Sequence, residues 1–445
     1  MAADGPDWKT LGDEAVEIAR QYLRIDTTNP PGNETPAAEF LAAILGDAGL
    51  ETTVLESEPG RGNVVARLPG SAGEPAGALC LLHHLDVVPA DPSEWSVDPF
   101  GAEVRDGHLW GRGAIDMKGM GVMQLMTMLA LARHRTTTLE RDVLFVAVAD
   151  EEAGGWKGAG WLTEHHPDLV ACRDVINEGG YGLSETRPPI MACALSEKAV
   201  RWVRLTARGT PGHGSMPPVE QAIEKLLAAL GDIAAHPPAL GLSPLVERTF
   251  RAMAAGASGV RRKALEAILR PEARRLLPAV GRRLPRYQRA LLGDTISMTR
   301  LDAGYKENVV PGTASATLDC RLVPETDPDD FVGRLSARMA RYGVRCEVIF
   351  SDGPCGVSEG PLLPLLDAVC SESFPGVTFA PALCPAFTDS RFFRQLGADA
   401  YGLIPVMLSN DEVATFHGID ERIPIEGLKK GCEVVYEITR RAGRS

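Results

Sequence analysis

The pattern of apolar and polar positions divides the chain into two kinds of sequence. From Asp13 to Arg24 apolar residues fall at helical spacing (Ala15, Ile18, Ala19, Tyr22, Leu23) and stop before the turn Thr27-Thr28-Asn29-Pro30-Pro31-Gly32. A second helix is expected from Thr35 to Ala48, with Gly49 as its stop. Short strands are expected at Thr52–Leu55, Asn63–Leu68, Ala78–Leu82, Val143–Ala149 and Asp174–Asn177, with helical stretches at Met117–Ala132 and Gly158–Glu164 among them. Apolar strands alternating with helices predict a mostly parallel sheet with helices on both faces. One long segment, Pro89–Gly113, shows no period and is dense in Pro, Gly and Trp. Its aromatics Trp95, Phe100 and Trp110 argue for an ordered loop, and loops of that length are usually functional.

The pattern changes near Leu195. Ala199–Ala207 alternates (Val200, Trp202, Val203, Leu205) as a two-sided strand, and a helix follows over Val219–Ile233. Pro237–Pro285, rich in Ala and Arg with several prolines, reads as a helical insertion. Strands are expected over Asp294–Leu301, Thr313–Val323 and Val344–Phe350, with a helix over Asp329–Tyr342. After Pro361 helices and strands alternate again, and the chain closes on a helix at Ile425–Arg441. The expected architecture is an α/β catalytic unit in two parts, 1–195 and 353–445, with an inserted α+β lid or dimerisation domain at 196–352 that carries a helical excursion at about 237–290.

Composition narrows the partners. A net charge of −13 over 445 residues argues against nucleic acid or an anionic membrane, but leaves small anionic molecules open through a local basic pocket. The nine cysteines are scattered, with no C-x-x-C pair, which fits reduced thiols rather than a disulfide frame. There is no basic stretch followed by an apolar one at the N-terminus and no apolar run long enough to span a bilayer. The cytoplasm is the expected location.

The chemistry gathers where strands should end. In Leu81-Leu82-His83-His84-Leu85-Asp86, an apolar strand runs into His84 and Asp86, which point to the same side of an extended backbone. A carboxylate beside a metal-binding imidazole fixes its tautomer and orientation. Four further clusters lie at comparable junctions: Asp116 after Gly111-Arg112-Gly113, the pair Glu151-Glu152 after Val143–Val148, Glu178 after Ile176-Asn177, and His417 in Thr415-Phe416-His417-Gly418-Ile419-Asp420-Glu421. Each alone also suits a helix cap or an acidic turn. Together they offer mixed nitrogen and oxygen donors at one sheet edge, a set suited to Zn²⁺, with Co²⁺ or Mn²⁺ as alternatives. Two metals need one bridging carboxylate, and Asp116, single and on a rigid turn, is the natural bridge. Of the adjacent glutamates, one can bind metal while the other moves a proton.

The series His84-x-Asp86, Trp95…Asp98-Pro99-Phe100, Gly111-Arg112-Gly113…Asp116…Lys118-Gly119, Glu151-Glu152 and Glu178 resembles the di-zinc metallopeptidases and deacylases. These include aminoacylase, acetylornithine deacetylase, succinyl-diaminopimelate desuccinylase and bacterial glutamate carboxypeptidase. The resemblance implies that His84, Asp116 and Glu178 hold one zinc and Asp116, Glu152 and His417 the other. It also implies that Asp86 orients His84, that Glu151 is the catalytic base, and that a cis peptide follows Asp116. The family has a small residue where this chain has His83. Gly209-Thr210-Pro211-Gly212-His213-Gly214-Ser215 resembles the loop whose histidine reaches across a homodimer to stabilise the oxyanion in the partner's site. Asn308 and Arg321 sit where the family has substrate-facing or lid residues. Thr388-Asp389-Ser390-Arg391 resembles its carboxypeptidase and N-acyl amino acid hydrolase branch, where Arg391 would bind a substrate carboxylate unless it serves a structural pair with Asp389.

Other classes fit less well. Gly111-x-Gly113 lacks a dinucleotide-site context, and no Walker or Gly-x-Ser-x-Gly sequence occurs. A non-catalytic metal-dependent binding protein of the same fold is the alternative. Structural zinc sites, however, are usually filled by Cys and His, and this set is carboxylate-rich. The expected reaction is hydrolysis of an amide beside a free carboxylate, in a dipeptide, an N-acyl amino acid or an N-carbamoyl compound.

Overall fold

The computed structural model describes residues 5–72, 77–134, 139–270, 286–352 and 356–444, with 272, 275 and 277 between them. Its largest sheet has eight strands in the order β1-β2-β6-β3-β7-β16-β8-β15. These are β1 Glu51–Glu56, β2 Gly62–Leu68, β3 Leu79–His84, β6 Val143–Val148, β7 Asp174–Leu183, β8 Ile190–Glu197, β15 Thr378–Cys384 and β16 Asp399–Leu408. The inner run β6-β3-β7-β16 is parallel, as is β8–β15, while β1–β2, β2–β6 and β16–β8 are antiparallel. Every residue of β3 and β6 is buried, which explains the apolar run of β6 and that of β3 up to Leu82.

The helix Lys118–Arg133 is buried from Lys118 to Leu131. It is apolar on all sides because it lies between the sheet and outer helices. Gly121 permits this approach: a Cβ there would stand 2.5 Å from the His83 ring. That ring is itself fixed by Gln124 Oε1 at 2.9 Å and by Phe145 at 5.1 Å between centroids.

A second sheet, all antiparallel, has the order β11-β13-β9-β14, from β9 Ala199–Arg208, β11 Thr295–Ala303, β13 Thr313–Leu322 and β14 Val344–Ser351. Val203, Leu205 and Ala207 face its own apolar core, with Leu226, Phe331 and Leu335 of the helices Ala222–Ala235 and Pro328–Ala340. Trp202 faces the other way and lies against Phe350. Beside it, β10 Gly212–His213 pairs with β12 Val309–Val310. Of the residues expected to form a helical insertion, Pro244–Gly256 places Leu245 and Val246 in the core of the first sheet and Thr249 on the Pro381 carbonyl of edge strand β15. Most of 271–285, which the sequence reading assigned to that insertion, lies outside the described residues.

The structure departs from expectation in the aperiodic segment. It contains β4 Glu103–Arg105 and β5 His108–Trp110, which with β17 Arg422–Pro424 form a three-stranded sheet. Three-residue strands are too short to show a period, and β17 lies far along the chain. The first helix begins at Trp8, capped by the Asp7 carboxylate, earlier than its apolar spacing indicated. β7 also continues through Gly179-Gly180, and β8 was not anticipated.

Gly121→Ala is expected to destabilise the fold by about 1–3 kcal/mol through overpacking against the held His83 ring. Urea unfolding checks this, and an unchanged midpoint would contradict the packing.

Candidate active site

Parallel neighbours end at the same edge of a sheet. β3 and β6 run in register, with His84 opposite Val148. The residues after both strands therefore meet at one rim with the middle of β7, where open α/β sheets bind ligands.

His84 is buried, and its Nδ1 lies 2.9 Å from the Asp86 backbone carbonyl and 3.5 Å from the Asp86 carboxylate. Nδ1–H donating there turns Nε2 toward Asp116 Oδ1 at 3.2 Å and Glu178 Oε1 at 3.7 Å. The Asp86 carboxylate mainly serves other groups. It accepts the N–H groups of Glu151 and Glu152, both at 3.1 Å, and Asn29 Nδ2 at 2.8 Å. Burial works to raise its pKa, but the bonds from His84, Asn29 and Glu152 hold it below the usual carboxylate value.

Glu151 and Glu152 stand on a tight turn that begins at Asp150, whose φ of 74° is unusual for a residue with a side chain. That conformation costs on the order of 1–3 kcal/mol and persists only where the surroundings enforce it. Here Arg61 pairs with Asp150 and with Glu34, each at 2.8 Å, and the Lys157 N–H binds Asp150 Oδ2 at 3.1 Å.

Asp116 lies at the end of the Gly111–Asp116 turn, and the peptide to Met117 is cis. His417, in the loop before β17 with φ of 54°, closes the cluster. Its Nε2 is 3.0 Å from Asp116 Oδ2 and 3.2 Å from Glu152 Oε2. The two histidines thus take opposite oxygens of one carboxylate. His83 does not join them; it is packed inside, and burial lowers its pKa to about 3.

These residues fit a metal centre. Two donors on one tetrahedral zinc lie about 3.3 Å apart, and the four histidine–carboxylate separations run from 3.0 to 3.7 Å. Candidate ligand atoms of His84, Glu151 and Glu178 lie within 4.8 Å of one another, as do those of His84, Asp116 and Glu152. These two groupings both centre on His84, whereas the ligand sets implied by the resemblance divide the residues between His84 and His417. Glu178 reaches ion-pair distance of His84, and His417 reaches both Asp116 and Glu152. Glu152 Oε1 is buried without a hydrogen-bond partner. Burial, reinforced by neighbouring charges, holds Glu151 and Glu178 well above the usual carboxylate range. A dry cluster of acidic groups is what a bound cation compensates.

The remaining expected residues lie apart from this cluster. His213 is exposed and bonds Ser215 Oγ at 2.7 Å. Asn308 is its neighbour, since the Asn308 carbonyl accepts the Gly214 N–H at 2.9 Å. Arg321 binds Asp319 through Nε at 2.9 Å and lies 5.2 Å from the Phe387 ring centre. Arg391 lies over the same ring at 4.6 Å, is fully buried, and pairs with Asp352. It also donates to the Thr388 and Gly154 carbonyls. The structural pair with Asp389 is not formed. The Asp389 oxygens have no hydrogen-bond partner, because the guanidinium turns toward Asp352 and Gly154 instead. Sequence reasoning gave no role to Arg112 or Glu421, although both lie inside quoted motifs. Their only sequence signal is the placing of Glu421 four residues after His417 in the same loop.

A mostly parallel sheet whose strand ends gather histidines and carboxylates around one aspartate is the arrangement of a metal-dependent hydrolase. The chain belongs to peptidase family M20/M25/M40, whose model matches residues 80–441. It is 28% identical to mouse N-fatty-acyl-amino acid synthase/hydrolase, over 96% of this chain and 87% of that one. It is 29% identical to pig aminoacylase-1, over 95% and 94%. Among solved structures it resembles an M20 family metallo-carboxypeptidase, Sso-CP2 from Sulfolobus solfataricus, with TM-score 0.71 and 20% identity, covering 97% of this chain and 99% of that one. Human carnosine dipeptidase 1 gives TM-score 0.69 at 16% identity, covering 98% of each chain.

Metal loading should release protons. Bonds to Asp116 and Glu152 raise the His417 pKa to about 10. His84 is also held well above its usual value: burial would lower it, but bonds to Asp116 and Asp86 outweigh that. A ligating imidazole must be neutral. For stability the sign is fixed by folded values above unfolded ones. The His417 contribution is complete below about pH 6.5 and lost as pH rises toward 10, and the raised Glu151 and Glu178 act in the same direction from about pH 4.3 upward. The Tm gap between the loaded and the metal-free protein should therefore widen between about pH 6 and 9, since the buried lysines Lys118 and Lys198, whose lowered values act with the opposite sign, are common to both forms. Thermal scans check this, with calorimetry in buffers of different ionisation enthalpy to count protons. A gap that narrows with pH contradicts the reading.

Proposed function

We propose that this hydrolase cleaves an amide beside a free carboxylate, with N-acyl amino acids ahead of dipeptides as substrates. The observation that carries the reading is the Asp116 carboxylate, which meets His84 on one oxygen and His417 on the other, with Glu151 adjacent and outside those pairs. His84, Asp116 and Glu178 would hold one ion and Asp116, Glu152 and His417 the other, zinc by donor type, with cobalt or manganese as alternatives. Metal bound there supplies a water of lowered pKa and polarises the scissile carbonyl. Glu151 takes the proton of the attacking water and returns it to the leaving nitrogen, so one carboxyl serves as base and then acid. The Asp86 bonds to the N–H groups of Glu151 and Glu152 support this division, because they fix both side chains on one rigid turn. The N-acyl preference is supported by the names of the mouse and pig relatives.

Asn308 and Arg321 are proposed to face the substrate, and binding of its carboxylate falls to Arg391. That role requires Asp352 to release the Arg391 guanidinium. We further read 196–352 as an inserted lid and dimerisation unit, supported by its separate apolar core and outward-facing Trp202. In a homodimer, exposed His213 would stabilise the oxyanion in the neighbouring site. The eight described cysteines are all unbonded thiols, which supports a cytoplasmic location.

Two experiments test these proposals. Glu151→Gln should keep its metal and fold while losing at least about 10²-fold in kcat on a panel of N-acyl amino acids; full activity would reassign the base. For the dimer, inactive Glu151→Gln and inactive His213→Ala proteins are mixed and allowed to exchange subunits. Partial recovery is expected, since each mixed dimer regains one complete site. No recovery in dimers shown to exchange would contradict the trans role.

A further inference from the structure

Glu421 is fully buried, and its carboxylate accepts four hydrogen bonds from one short stretch. Oε1 takes the N–H groups of Ile115 at 2.8 Å and Asp116 at 3.0 Å. Oε2 takes the Gly113 N–H at 3.0 Å and Arg112 Nη1 at 2.8 Å. The Glu421 backbone carbonyl accepts the Gly111 N–H at 2.9 Å. Arg112 completes the link from the other side: its Nη2 donates to the carbonyl of Gly418, next to His417, at 2.8 Å, and Trp95 covers its guanidinium at 5.1 Å.

We propose that the Arg112–Glu421 pair is a positioning clamp that fixes Asp116 and His417 relative to one another and thereby sets the second metal position. The inference rests on the two-metal reading of the site. The physical reason is an asymmetry between the two ligand sets. His84 ends β3 opposite Val148, and Glu178 lies within β7 directly after the Asn177–Gly402 pair, so the large sheet carries both backbones. Asp116 and His417 stand on a turn and a loop, and the His417 side chain is 55% exposed. The β5–β17 pairing brings the two segments together at Trp110 and Arg422, but both ligand side chains lie beyond its last strand pair, and there the clamp sets the distance between them. A carboxylate is required because it accepts four donors, one of them cationic. Glutamine has the same shape but one acceptor oxygen, and it would turn an NH₂ toward backbone N–H groups.

The test is titration of the metal-free full-length protein with Zn²⁺ and with Co²⁺, by calorimetry and chelator competition, with the Co²⁺ absorption spectrum as a second readout. Wild type should bind two ions. Glu421→Gln should weaken one of them by about 10–100-fold, the scale of outer-shell partners, and the other by no more than about 2-fold. The Co²⁺ spectrum of the tight position should be unchanged. Equal weakening of both ions, or no weakening in a folded variant, overturns the clamp. Should Glu421→Gln fail to fold, Arg112→Met keeps the three backbone bonds to the Glu421 carboxylate but frees Gly418, and should give the same selective loss by a smaller factor. An even loss, or none, in that variant also overturns it. Wild type that binds fewer than two ions overturns the two-metal reading, and the clamp with it.

Discussion

The carboxylate of Asp116 receives a histidine on each oxygen, and most of the surrounding structure holds that arrangement against its own electrostatics. Asp116, Glu151, Glu152 and Glu178 crowd into a space where burial raises the pKa of the three glutamates. Like charges in a dry site repel strongly, and the repulsion is relieved either by protonation or by cations. Carboxylate partners hold both imidazoles well above the usual histidine value, and a bound cation would supply the charge that lets their protons go. The apolar core beneath, above all β3, β6 and the helix Lys118–Arg133, provides the stability that such a strained site consumes.

Rigidity in the site is graded. Residues on strands inherit their positions from the ladder. Those on turns need side-chain support, and each turn has its own charged pair: Arg61 with Asp150 beneath Glu151 and Glu152, and Arg112 with Glu421 beneath Asp116. Both pairs are buried, and in both the carboxylate also accepts backbone N–H groups of the turn it supports. The left-handed conformations of Asp150 and His417 lie at these two places, where the local backbone is held in a shape that the sequence alone would not favour.

The α/β class and the cluster were legible because both follow from local sequence. Fully buried parallel strands read as apolar runs, and the site residues follow directly where such runs end. The supporting pairs were not legible. Arg61 reaches Asp150 across 89 positions and Arg112 reaches Glu421 across 309, distances at which spacing carries no information. The hairpin Glu103–Trp110 was missed because its strands are too short to alternate and its third partner lies near the end of the chain. Arg391 illustrates a different limit. Its motif is visible in sequence, but which carboxylate it meets, Asp352 rather than Asp389, is decided by how β14 ends against the first sheet.

Crystallographic anomalous scattering at the zinc edge, from crystals of the metal-loaded protein, tests the central claim most directly. Two peaks about 3.5–4 Å apart are expected, one on each side of the Asp116 carboxylate, with His84 and Glu178 at one and Glu152 and His417 at the other. A single peak, or two that do not share Asp116, would contradict it.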